Sequence, residues 1–71
     1  MKALAVIPTY NEKDNITRLI KQILSLNINW LDILVVDDKS PDGTWKIVRE
    51  ISKKNKKVNL IVRDPPRGRG L

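Results

Sequence analysis

The chain has 71 residues, with 14 Lys plus Arg against 8 Asp plus Glu, a net charge of +6, 41% apolar residues, and neither cysteine nor histidine. That composition excludes a disulfide framework, a zinc-clipped mini-domain, a thiol nucleophile and a Ser-His-Asp triad within the chain. Its length limits it to one small domain, which at this size buries only about 60% of the surface its unfolded form exposes.

The first element expected is a strand over residues 3 to 8, Ala-Leu-Ala-Val-Ile-Pro, a continuous apolar run of the kind found in strands buried on both faces. Asn11 is placed to cap the next segment, with Glu12 and Asp14 in its first turn, where the helix dipole favours negative charge. Ile16, Leu19, Ile20, Ile23 and Leu24 then recur at helical spacing and predict an amphipathic helix near 12 to 26.

A second strand is expected over 32 to 37, a β-branched run closed by Asp37 and Asp38. Ser40-Pro41-Asp42-Gly43-Thr44 carries turn and helix-start chemistry, with Ser as a cap and Pro suited to a first helical position. A second helix over 43 to 54 buries Trp45, Ile47, Val48 and Ile51 and ends among Lys53, Lys54, Lys56 and Lys57, cations that suit a C-terminal dipole. Residues 58 to 62 form a third strand, followed by the breaker-rich Asp64-Pro65-Pro66-Arg67-Gly68-Arg69-Gly70.

Strand, helix, strand, helix, strand is two successive βαβ units, so the fold class is α/β, Rossmann-like, with three parallel strands and the second either central or at one side. Ligands of open parallel sheets sit outside the carboxyl ends of the strands. Tyr10 and Glu12 leave the first strand, Asp37 and Asp38 the second, and Arg63, Arg67 and Arg69 follow the third. An aromatic ring, carboxylates and arginines along one rim suit a nucleotide's base, ribose and phosphates. The chain has no Gly-x-Gly-x-x-Gly after its first strand and no P-loop, which argues against a nicotinamide or flavin enzyme and a P-loop nucleotidase.

Val6-Ile7-Pro8-Thr9-Tyr10-Asn11-Glu12, followed by Val35-Val36-Asp37-Asp38-Lys39-Ser40-Pro41-Asp42-Gly43-Thr44, resembles the opening of the inverting GT-A glycosyltransferases of family 2. It is most similar to the N-terminal part of the polyprenol-phosphate (dolichol-phosphate) mannosyltransferases. The resemblance implies that Pro8 and Tyr10 wall the nucleotide base, Glu12 reaches the ribose, and Val36 with Asp38 holds the base. Asp37 is placed in the same nucleotide site or, alternatively, orients the loops. Asp42 and Thr44 are assigned to helix capping, and Arg67 and Arg69 to phosphate.

The family's divalent metal, Mg or Mn, needs an Asp-x-Asp pair, and its chemistry needs a carboxylate base. The chain holds no Asp-x-Asp, so neither catalytic nor metal-binding residues are assigned in it. Residues 1 to 71 are therefore expected to be a single partial domain, the nucleotide-binding portion of a longer catalytic domain, inactive alone. The implied partners are a nucleotide sugar (GDP-mannose or a UDP-sugar), a polyprenol phosphate acceptor and a second copy of the chain.

The longest apolar run is too short for a membrane span or a signal peptide. A cytoplasmic location is expected on that ground, at the membrane surface for the full-length family. The alternative function is a non-catalytic module for nucleic acid or another polyanion. Residues 39 to 71 motivate it, with 10 basic and 3 acidic side chains against 4 and 5 in residues 1 to 38. Only Tyr10, Trp30 and Trp45 are available for base stacking, so nucleic acid is not the expected partner. A receiver module is disfavoured because a whole βα unit precedes the acidic strand and the later strand, Val58 to Val62, ends in Arg63-Asp64 where a phosphoacceptor Asp is needed.

Overall fold

The structure is a computed structural model that describes residues 2–64. In chain order the elements are β1 (Ala3–Thr9), α1 (Lys13–Leu24), β2 (Leu31–Asp37), α2 (Thr44–Lys54) and β3 (Val58–Val62). Every expected element is present within two residues of its expected bounds. The sheet order is β1-β2-β3 with both pairings parallel, which makes β2 the central strand.

Each helical connection moves one strand further in the same direction, and right-handed crossovers then place both helices on one face of the sheet. The core lies there, formed by Ile16 and Ile20 of α1, Ile33 and Val35 of β2, Val48 of α2 and Val58 of β3, with Ile7, Ile23, Leu24, Ile47, Ile51 and Leu60 packed around them. Each fully buried aliphatic side chain contributes about 1.5 to 3 kcal/mol.

The opposite face is uncovered among the described residues, which corrects the expectation that β1 is buried on both sides. Leu4 and Val6 are 51% and 56% exposed, and Ile61 is 46% exposed. The run is apolar on both faces, as in parallel sheets with two helix layers, but only one layer stands against it here. Trp45 is another departure, being half-buried, with Lys46 and Arg49 over its ring at 5.4 and 4.9 Å instead of a core around it.

Pro8 is compatible with β1 because that strand is at the sheet edge. The N–H of Ala3 and the carbonyl of Thr9 both face β2, accepted by Trp30 and donated to by Asp38 respectively. Alternation along the strand then points the Pro8 nitrogen to the open edge, where no ladder bond is lost.

The expected helix starts are replaced by different ones. Asn11 does not cap α1: it takes a left-handed conformation with φ 55°, and the N-cap position falls on Glu12, whose side chain makes no cap. Ser40 and Pro41 precede α2 instead of opening it, and Gly43, at φ 88°, occupies the N-cap position. Glycine is the residue that adopts that conformation without strain.

Candidate nucleotide site

The register of the three strands assembles the rim. Pro8 pairs with Val36, and Val36 with Ile61, so these three side chains form one row on the uncovered face, one residue short of the strand ends. The next row, Thr9, Asp37 and Val62, falls on the helix face because side chains alternate along a strand. Tyr10 and Asp38 then leave adjacent strands, tied by the Asp38 N–H donating to the Thr9 carbonyl at 3.3 Å. Tyr10 is 55% exposed. A nucleoside base meeting this corner finds Pro8 and Val36 as an apolar floor, an aromatic ring and a carboxylate.

The two adjacent aspartates have separate tasks, because successive residues at a strand end point to opposite sides. Asp37 is fully buried, with Oδ1 accepting from the Thr9 hydroxyl at 2.5 Å and the Ser40 hydroxyl at 2.7 Å, and Oδ2 accepting the Ser40 N–H at 2.8 Å. Three donors occupy a carboxylate closed off from solvent and tie the end of β1 to the β2–α2 loop. Asp38 is partly exposed and receives the Arg63 guanidinium, Nε and Nη2 each 2.9 Å from Oδ1. Its Oδ2 faces no donor among the described residues.

Glu12 sits half-buried at the start of α1. Its N–H, and those of its neighbours, are accepted by side chains of the β2–α2 loop. Asn11 N–H donates to Ser40 Oγ at 2.8 Å, Glu12 N–H to Thr44 Oγ1 at 3.0 Å and Lys13 N–H to Asp42 Oδ2 at 3.0 Å. Asp42 also accepts from the hydroxyl and the N–H of Thr44. Desolvation pushes the Asp42 carboxyl upward, but the Thr44 hydroxyl, the N–H groups of Lys13 and Thr44 and the Lys13 charge outweigh it and hold the pKa below the ordinary aspartate value. Asp42 thus accepts the first N–H of α2, from Thr44, and the first N–H of α1, from Lys13, whereas the Thr44 hydroxyl does not cap its own helix and accepts the Glu12 N–H instead.

Sequence reasoning missed Thr9 as the buried partner of Asp37, Ser40 as the link between loops, and Arg63 as the partner of Asp38. Thr9 and Asp37 are exact register partners, a fact accessible only once the strands are aligned. Arg67 and Arg69 lie outside the described residues. No group of three His, Cys, Asp or Glu that could hold a metal ion occurs among the described residues. A concavity lies at the other end of the sheet, lined by Ile23, Leu24, Ile28, Asn55 and Lys57, away from the rim.

A three-stranded parallel sheet with apolar, aromatic and acidic groups converging on its carboxyl edge defines the N-terminal part of a GT-A fold, and residues 4–71 match Glycosyl transferase family 2. The chain belongs to that family. Over 70 residues it is 41% identical to a dolichol-phosphate mannosyltransferase of Pyrococcus furiosus, covering 96% of this chain and 19% of that protein. It is 39% identical over 51 residues to a polyprenol monophosphomannose synthase of Mycolicibacterium smegmatis, covering 72% of this chain and 19% of that one. Among solved structures, the mannosyltransferase PcManGT of Pyrobaculum calidifontis, in complex with GDP-Man and Mn2+, superposes with a TM-score of 0.76 at 27% identity, over 94% of this chain and 20% of that one. The chain thus spans about a fifth of the length of these proteins.

Proposed function

We propose that residues 1 to 71 are the nucleotide-binding portion of an inverting glycosyltransferase that moves mannose or another hexose from a nucleotide sugar to a polyprenol phosphate. The observation that carries this reading is the corner where Pro8 and Val36 stand side by side in register with Tyr10 and Asp38 leaving the same two strands. The names of the relatives, dolichol-phosphate mannosyltransferase and polyprenol monophosphomannose synthase, support the acceptor class, and the GDP-Man of the solved neighbour supports the donor.

In this reading the base lies on Pro8 and Val36 against the Tyr10 ring, Asp38 Oδ2 accepts a base N–H, and Glu12 accepts from a ribose hydroxyl. Asp37 contributes by holding the loops. The neighbour's Mn2+ finds no ligand set among the described residues, so the donor diphosphate has no metal to neutralise it within them. We infer that sugar transfer draws on residues beyond these. Among the described residues no helix is long and apolar enough to cross a membrane, and we place the contact with a lipid acceptor in the whole enzyme at the membrane surface.

The test is an NMR titration of the chain with GDP, GMP, UMP and single-stranded DNA in parallel at moderate salt. A hydrogen bond to a charged group contributes about 1.5 to 3 kcal/mol and aromatic stacking about 0.5 to 1.5, before the cost of association. The expected result is binding on the order of millimolar, with shifts centred on Tyr10, Glu12 and Asp38. Shifts confined to Lys53 through Lys57 with DNA, and none with nucleotides, would replace this reading with a polyanion surface.

A further inference from the structure

We propose that Ser40, Asp42 and Thr44 are positioning residues for the nucleotide, holding Tyr10 and Glu12 in place through the backbone of the β1–α1 loop without touching the ligand. The inference rests on the nucleotide reading given above and assigns that site its supporting machinery. The first N–H groups of a helix have no partner inside it and are ordinarily met by the helix's own N-cap side chain. At α1 that side chain, Glu12, makes no such bond. Three consecutive N–H groups at the entry to α1, those of Asn11 and of the N-cap Glu12 and that of Lys13 at the first helical position, are accepted by three side chains 29 to 32 residues further along.

The acceptors are themselves fixed. A hydroxyl has one proton to give and lone pairs to accept with. The Ser40 proton is committed to Asp37 Oδ1 at 2.7 Å and the Thr44 proton to Asp42 Oδ1 at 2.5 Å. The lone pairs of both hydroxyls are therefore turned toward the Asn11 and Glu12 N–H groups. Ser40 and Thr44 are fully or almost fully buried, 2% and 0% exposed, so water does not substitute for them. Tyr10, exposed at its ring, is clamped on both flanks to the same carboxylate: Thr9 bonds Asp37 directly, and Asn11 bonds it through Ser40. Asn11 keeps its left-handed turn between these two anchors.

The experiment measures amide hydrogen exchange at Asn11, Glu12 and Lys13 and GDP affinity, both by NMR well below the unfolding midpoint, with exchange referred to the buried Val35 amide so that a general loss of stability moves both amides alike. Thr44→Val removes the hydroxyl and keeps the shape. It is expected to speed exchange of the Glu12 amide relative to that of Val35 and to weaken GDP binding roughly fivefold to tenfold, the scale of one lost hydrogen bond. Thr44→Ser, which restores the hydroxyl, is expected to recover both. Should Thr44→Val not fold, Asp42→Ala, at a half-exposed position, tests the same claim at the Lys13 amide.

Unchanged exchange at the released amide overturns the proposal. So does faster exchange with unchanged GDP affinity, which separates loop order from binding while leaving the nucleotide site standing. Failure of the native chain to bind any nucleotide overturns the nucleotide reading itself, and this inference with it.

Discussion

Arg63 places Nε and Nη2 at the same distance, 2.9 Å, from a single oxygen of Asp38, Oδ1. The end of β3 is thereby tied to the end of β2, and Oδ2 of Asp38 has no hydrogen-bond donor among the described residues. Both side chains are substantially exposed, so the pair itself contributes no more than about 1 kcal/mol to stability. Its importance is orientation of the carboxylate.

Nucleotide binding is accordingly expected to depend on Asp38 far more than on the net charge of the chain. Asp38→Ala should abolish the proposed millimolar binding, since the oxygen proposed to accept from the base is lost without replacement. Lys56→Ala, which removes a positive charge beside the groove at the other end of the sheet, should leave it unchanged. Chemical-shift titration with GDP distinguishes the two, and equal losses in both variants would indicate attraction by charge alone.

Asp37 should behave as a stability residue. Asp37→Ala leaves two hydroxyls and the Ser40 N–H without their acceptor in a buried place. Each unsatisfied buried polar group costs about 1 to 3 kcal/mol, so a loss of at least about 3 kcal/mol is expected in urea denaturation. For a chain this small, that loss is enough to unfold a large fraction of molecules.

Acid should weaken the link between the two loops. The Asp42 pKa is lower in the folded chain than the ordinary aspartate value, so the folded state favours the carboxylate. The associated stability is fully present above the unfolded pKa of about 3.9 and is lost as pH falls through the lower folded value. Asp42→Asn, which has no charge to lose, should flatten that part of the stability profile. Thermal unfolding followed from about pH 5 down to about pH 2 provides the comparison.

Self-association is expected of the chain on its own. Leu4, Val6, Pro8 and Ile61 are exposed on one side of a parallel sheet, an arrangement ordinarily buried on both faces. β1 and β3 also leave an edge each without a partner among the described residues. Sedimentation at high micromolar concentration should show a dimer or larger species. Val6→Lys combined with Leu4→Lys should shift it to monomer, and a monomeric native chain would refute the expectation.

The element order, the parallel pairing and the gathering of Tyr10, Glu12, Asp37 and Asp38 at one edge were legible in the amino-acid sequence. These depend on local signals: apolar periodicity, turn residues, and the requirement that helical crossovers join parallel strands. The roles within the site were not legible in the same way. Asp37 and Asp38 are consecutive and chemically identical, and alternation alone says that they point apart without saying which one is buried. That was decided when both crossovers put their helices on the same face, enclosing Asp37 with Thr9 and Ser40 and leaving Asp38 to Arg63. The caps of α1 were hidden for a related reason. Helix-start statistics look to the neighbouring residue, Asn11, whereas the acceptors Ser40, Asp42 and Thr44 come from the next loop, brought there by the register of β1 on β2. Local sequence thus determined which elements form and in what order, and only tertiary packing decided which polar groups meet, because those partners are about 30 residues apart in the chain and a few ångströms apart in space.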